Sequence, residues 1–233
     1  MKKIGIIIFA SALVIGLVVS NMFSFGRAAH GLFNFSIDFS GEKGSGKIVT
    51  EKRSLNGFKG VDVGGVFQVE ITAQKDFSVE IEADDNLLPL IKTEADDSVL
   101  EIESEGRLSP TTPIRIRISA PDINELEVSG AANVTLNGLK NSSLSVDSSG
   151  ASKLKIAGET AKLTAETSGA SKIDAEDLKA EDAIIDGSGA SHVDINVSGE
   201  LTADLSGASK VVYSGTPTAV HKKTSGAGSV SQK

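Results

Sequence analysis

From residue 123 onwards, apolar side chains come in pairs two positions apart, and the pairs return about every twenty residues. Leu144 and Val146 are followed by Leu163 and Ala165, then Ala183 and Ile185, then Leu201 and Ala203. A second set runs Val134 and Leu136, Leu154 and Ile156, Ile173 and Ala175, Val193 and Ile195, Val211 and Tyr213. Alternation with period two predicts strands, because successive side chains point to opposite faces of a sheet. Between the two sets lies a short turn, Ser149-Gly150-Ala151-Ser152, repeated at Ser168, Ser188 and Ser206, with shorter copies at Ser129 and Ser225. The six serines are 20, 19, 20, 18 and 19 residues apart. Self-similarity at such a period predicts a stack of coils. Each coil reads as a strand, a Ser-Gly corner, a strand, a further turn and a short third strand.

These features predict an all-β chain, a right-handed parallel β-helix of coils of about 20 residues with a less regular N-terminal portion. The corner glycine supplies a backbone conformation that a Cβ hinders. Stacked corners would also place Ser on Ser, as a hydroxyl ladder. A leucine-rich repeat has a similar period, and Ile123–Val128 resembles its opening, but later coils do not sustain it and leave no room for an amphipathic helix.

The earlier half is strand-rich without the repeat. Phe67, Val69 and Ile71 alternate, as do Val79 and Ile81, Leu100 and Ile102, and Ile114, Ile116 and Ile118. Asp84-Asp85-Asn86 before Leu87–Ile91 reads as a turn with a short helical turn or crossover. The organisation expected is a targeting segment over 1–29, a linker over 30–47, the N-terminal β part over 48–120 and the repeat coils over 121–233. The linker ends Gly- and Ser-rich. Its Gly41–Lys47 fits the spacing of a phosphate loop, but Ile48 stands where that loop needs Ser or Thr, so nucleotide binding is not expected.

Lys2-Lys3 ahead of the uncharged apolar run Ile4–Val19 is the layout of a secretory signal. Cleavage near Gly26-Arg27-Ala28 and an uncleaved membrane anchor are both open. Either way the chain is expected to be exported, to the periplasm or the cell surface. With no Cys there is neither a lipoprotein anchor nor a disulfide. The net charge is −8, and residues 1–29 contribute only bases, so the remainder is more acidic still. Such a surface repels nucleic acid. Aromatic residues make up 4%, and after Phe77 the only one is Tyr213, which suits a narrow lumen filled by Val, Ile, Leu and Ala.

Two residues before each turn serine stands an acid: Glu127, Asp147, Glu166, Asp186 and Asp204. Four residues after it stands a base: Lys153, Lys172, His192 and Lys210. Both have outward parity. The expected reading is a charge-balanced exterior in which the basic column answers the acidic one. A calcium-binding face and a carboxylate pair for glycosidic cleavage are the functional alternatives. The glycine-rich repeat motif of calcium-binding β-helices does not occur. His30, His192 and His221 are far apart, and no nucleophile or metal-ligand motif appears. No catalytic, cofactor or metal residue is therefore assigned.

The segments Arg53–Val63, Val79–Leu88 with Leu100–Ile102, Pro121–Ala131 and the Ser-Gly-Ala-Ser coils resemble the bacterial "putative auto-transporter adhesin, head domain" family over about residues 50 to 215. The resemblance implies an exported β-helical envelope protein, adhesin-like and without a catalytic motif. It leaves open an unknown surface or polysaccharide ligand, and a membrane contact only through an uncut N-terminal segment. A polysaccharide-acting enzyme and a purely structural envelope protein remain the alternatives.

Overall fold

A computed structural model describes residues 41–233. The targeting segment and most of the expected linker lie outside the described residues, and so does His30. The described chain holds eighteen strands and one short 3-10 turn. It is the parallel β-solenoid that the repeat predicts.

The first nine strands are β1 (Glu42–Lys43), β2 (Ile48–Arg53), β3 (Gly60–Gly65), β4 (Gln68–Thr72), β5 (Ser78–Asp84), β6 (Ile91–Asp96), β7 (Val99–Ser104), β8 (Leu108–Ser109) and β9 (Arg115–Ser119). The coils follow as β10 (Glu125–Gly130), β11 (Asn133–Ser148), β12 (Lys153–Thr167), β13 (Lys172–Gly187), β14 (His192–Val197), β15 (Glu200–Leu205), β16 (Lys210–Ser214), β17 (Ala219–Thr224) and β18 (Ser229–Gln232). In β11, β12 and β13 the further turn is a register shift inside one long strand, near Leu136–Leu139 and Lys155–Gly158. Short segments beyond it form the third side.

Each strand lies on its counterpart in the next coil, so a residue choice becomes a column. On the face before the Ser-Gly corner the inner column is Leu100, Val61, Leu126, Val146, Ala165, Ile185 and Ala203. On the face after it the inner column is Ile116, Val69, Val134, Leu154, Ile173, Val193 and Val211. All of these are buried and belong to one continuous core. A fully buried Val, Leu or Ile contributes about 1.5–3 kcal/mol, so the two columns carry much of the stability.

The N-terminal half belongs to the same solenoid, but its spatial order departs from the chain order. β7 and β9 form the coil that lies outside β3 and β4, and β10 and β11 then stack on β3 and β4 from the other side. Antiparallel strands close this end: β6 on β7, β5 on β9, and β2 on β5. The Arg53 guanidinium donates to the carbonyls of Ile91 and Leu88 and to Thr93 Oγ1, tying β2 to the free edge of β6.

The corners repeat in backbone detail. The Ala170 N–H donates to the Gly150 carbonyl at 2.8 Å, and Ala151, Ala190, Ala208 and Ala227 make the same bond to the glycine one coil below. The stacked serines are internal, since the last serine of each turn, Ser152, Ser171, Ser191 and Ser209, is buried, but the hydroxyl ladder is interrupted at Ser171, whose Oγ has no hydrogen-bond partner. Ser191 Oγ donates to Ser209 Oγ at 3.1 Å and accepts from Thr167 Oγ1 at 2.7 Å.

Residues 41–47, expected as the end of a linker, are built into the solenoid instead. β1 pairs with β8. The loop is clasped by the turn at 84–86: the Gly46 N–H donates to Asp84 Oδ1, the Ser45 N–H to Asn86 Oδ1 and the Ser45 hydroxyl to Asp85. Asp84 is buried and also accepts from the backbone and hydroxyl of Thr111, which hold its carboxyl below the usual range. The amides that a phosphate loop would turn toward a nucleotide are thus occupied by carboxyl and amide oxygens.

Candidate functional site

The outward positions decide what this molecule can touch. The acidic column stands in register on the face before the corner, as the sequence spacing predicts: Glu127 pairs with Asp147, Asp147 with Glu166, Glu166 with Asp186 and Asp186 with Asp204. It also runs two rungs further than the repeat suggests, through Asp62 and Glu101. The signal for Asp62 was in the sequence: Gly60–Gly65 carries the same pattern as Glu125–Gly130, an acid flanked by two aliphatics and closed by glycine. Only the order of the strands hid it. Beyond Asp204 the column ends in Lys223, whose ammonium reaches Asp204 at 2.7 Å.

Asp62 has the most perturbed carboxyl of the column. Its pKa is raised to about 6, first by burial and then by the charges of Glu127, Glu101, Glu103 and Glu125. Burial of the carboxyl is the larger cause, and the stacking of like charges on adjacent strands adds to it. A shallow hollow of about 320 Å³ runs along Asp147, Glu166, Asp186 and Asp204 beside the outward serines.

The basic column is also in register, from Lys153 through Lys172 and His192 to Lys210. It does not answer the acidic column, contrary to the charge balance expected from the sequence. The corner lies between them, and the bases face the next side of the solenoid. Lys172 Nζ lies 3.4 Å from Asp194 Oδ2, and His192 Nε2 lies 2.9 Å from Asp194 Oδ1. Among the described residues, Lys223 is the only base that forms an ion pair with the acidic column. Spacing along the chain places two columns on a coil but does not say which side of a corner each occupies.

Below Lys153 the basic column continues into Asn133, which holds the repeat's basic position four residues after Ser129 but is an amide, and into Gln68, whose strand precedes the regular coils. Beside it runs a mixed column: Glu70, Thr135, Lys155, Asp174 and Asp194. A hollow of about 400 Å³ opens at the Gln68 and Asn133 end. Arg115 and Arg117 at its edge are engaged by Glu82 and Glu80 of β5.

No group of three or more His, Cys, Asp or Glu side chains converges as metal ligands among the described residues. The acids form a line along the axis. His221 lies 3.5 Å from Glu200, far along the stack from a ligand-like cluster. Among the described residues no helix is long and apolar enough to cross a membrane.

The chain is similar to several solved structures of the same architecture. A "putative adhesin" from Bacteroides fragilis is 21% identical, with a TM-score of 0.70, covering 83% of this chain and 100% of that one. A "putative adhesin" from Parabacteroides merdae is 19% identical, with a TM-score of 0.53, covering 82% of this chain and 98% of that one. A "putative lipid binding protein" from Parabacteroides distasonis is 17% identical, with a TM-score of 0.50, covering 83% of this chain and 100% of that one. At these identities the likeness is one of fold. No curated protein matches the chain. The family resemblance read from the four sequence segments is met by a match over residues 57–217, from the turn before β3 to the turn after β16, and the chain belongs to the family described as "Putative auto-transporter adhesin, head GIN domain".

Proposed function

We propose that this chain is an exported, non-catalytic surface module of the cell envelope that binds through the flat sides of its solenoid. The observation that carries this reading is the continuity of the outward columns. Acids stand in register over seven coils, from Glu101 to Asp204, and bases over four, from Lys153 to Lys210, so contacts are available as weak, repeated units. An active site interrupts such regularity at one place, with a cleft and convergent groups. Aromatic rings, on which sugars stack in many carbohydrate-active sites, are limited in the coils to Tyr213. The family name and the secretory layout of residues 1–29 support the same localisation.

One observation favours the second reading, a polysaccharide-acting enzyme. Asp62, with its pKa near 6, stands between Glu101 and Glu127, and a raised carboxyl beside ionised ones is how a general acid is made. The test uses the full chain in a mild neutral detergent, incubated with acidic and neutral polysaccharides with and without calcium. Binding without release of reducing ends or unsaturated products is expected. Turnover that disappears in Asp62→Asn or Asp186→Asn would overturn the module reading and install the enzyme.

A further inference from the structure

We propose that the face after the Ser-Gly corner is a docking strip for an acidic polysaccharide, laid along the solenoid axis over Gln68, Asn133, Lys153, Lys172, His192 and Lys210. The proposal rests on the reading of the chain as a surface-binding module and names its ligand class.

The strip is a single column. Its six residues are directly paired from strand to strand across six consecutive coils. At roughly 4.8 Å between strands it spans about 24 Å. Each side chain can present a hydrogen-bond donor outward, and none is a carboxylate. Four are bases, and like charges on directly opposed strand positions are destabilising. The protein answers only part of this: Asp194 serves both Lys172 and His192. Among the described residues Lys153 and Lys210 have no ion pair, and the amides of Gln68 and Asn133 have no side-chain partner. An anionic group at every rung or every second rung would relieve the row and satisfy these donors at once.

The neighbouring column separates an acidic glycan from other polyanions. Glu70, Thr135 and Asp174 stand beside the strip and supply acceptors, while Lys155 between Thr135 and Asp174 is engaged by Asp177. A polymer that carries carboxylates alone would be repelled by them. A sugar chain that carries both carboxylates and hydroxyls can offer the first to the lysines and the second to the acids. An extended uronic acid chain has one carboxylate per sugar, a spacing of the same order as one rung. Single-stranded nucleic acid fits poorly, because its affinity draws on bases stacked on rings and the one aromatic ring of these coils, Tyr213, is turned toward the core, whereas an acidic glycan can be held here by carboxylates and hydroxyls alone. The acidic column lies beyond the corner and confines a polyanion to this side. The hollow at Gln68 and Asn133 gives the strip a recessed start.

The test measures affinity of the full chain, in neutral detergent, for polygalacturonate, neutral dextran and a single-stranded oligonucleotide. Binding to polygalacturonate that weakens with added salt is expected. The triple variant Lys153→Glu, Lys172→Glu, Lys210→Glu should lose at least tenfold while keeping a single cooperative melt. Lys75→Glu, Lys140→Glu, Lys162→Glu makes the same change in net charge away from the strip and should bind like the unmodified chain. Equal loss in both triples would mean that only net charge matters, and would overturn the strip. So would unchanged binding in the first triple, or tighter binding to the oligonucleotide. Binding to dextran alone would overturn the strip and leave the module reading standing, whereas turnover of polymer would strike the module reading itself.

Discussion

Gly169→Ala isolates the contact on which the stack depends. Gly169 sits at φ +77°, where an L-residue is strained by about 1–2 kcal/mol. A Cβ there would lie 2.5 Å from the Gly150 carbonyl oxygen and 3.1 Å from the Gly150 nitrogen. That oxygen accepts the Ala170 N–H at 2.8 Å, and its own coil is held by the same bond to Gly130. The neighbour is backbone on a hydrogen-bonded ladder, so relief requires the corner bond to lengthen or break, at about 1 kcal/mol more, with some loss of packing in the adjacent rungs. The two terms add to about 2–3 kcal/mol, with the packing loss on top, at the upper end of ordinary single substitutions. Gly57→Ala is the control: its φ is +83°, but a Cβ there meets nothing within 4 Å. It should cost only the backbone strain, about 1–2 kcal/mol. Urea denaturation followed by circular dichroism gives both values. If the two variants shift the midpoint equally, the stacked-corner account of stability is wrong.

Removing Ser168–Gly187 should leave a folded, shorter solenoid, because Thr167 and Gly187 are register partners and the joined chain keeps its columns. Removing only Ser168–Asp177 should abolish the cooperative melt, since the following strand would meet the wrong position of its neighbour. Asp62 sets a pH trend. Its folded-state pKa is raised from 3.8 to about 6, so it binds its proton more tightly in the folded chain. Its contribution is favourable below about pH 4 and is lost as pH rises to about 6. Asp62→Asn should therefore stabilise the protein at pH 7 by about 1 kcal/mol, after allowance for its partial exposure, and the gain should vanish by pH 4. A gain that is the same at both pH values would refute the linkage. Asp84 runs the other way: its lowered pKa gives stability that is lost as pH falls below its range, so melting temperature should also drop at strongly acidic pH.

The coils were legible because each lesson is repeated. Val134, Leu154, Ile173, Val193 and Val211 were read as one inner column from spacing alone, and they are. The same logic failed where strand order departs from chain order. β7 and β9 come after β3 and β4 in the chain but lie outside them in the stack, and period-two alternation carries no information about which strands are neighbours. Hence Asp62, Glu101 and Gln68, which extend the two columns, are not legible from spacing, whereas Asn133 holds the repeat position four residues after Ser129 and is passed over only because it is not a base. The clasp of Ser45 and Gly46 onto Asp84–Asn86 was missed for a different reason. Glycine-rich polar segments read as linkers unless their partners are known, and these partners lie about forty residues away.

A parallel stack copies every choice made at one position, and this explains why charge appears here as rows. A carboxylate that would be an isolated surface group on another fold becomes part of a line of like charges, which at Asp62 adds to the effect of burial. The protein does not cancel that line along its length, since the bases face the other side of the corner. It changes the choice at the final coil instead. There the acidic column ends in Lys223, bonded to Asp204, and the inner column that runs through Ala203 ends in Lys222. A lysine at the head of an aliphatic column makes a poor surface for another strand to join. At the opposite end Arg53 and the antiparallel strands β2 and β6 do the same work with backbone carbonyls. Among the described residues, Lys222 and Lys223 make β17 a poor surface for another strand and Arg53 occupies carbonyls at the β6 edge, so the long outward columns on the sides are the broadest surface the solenoid offers to a partner.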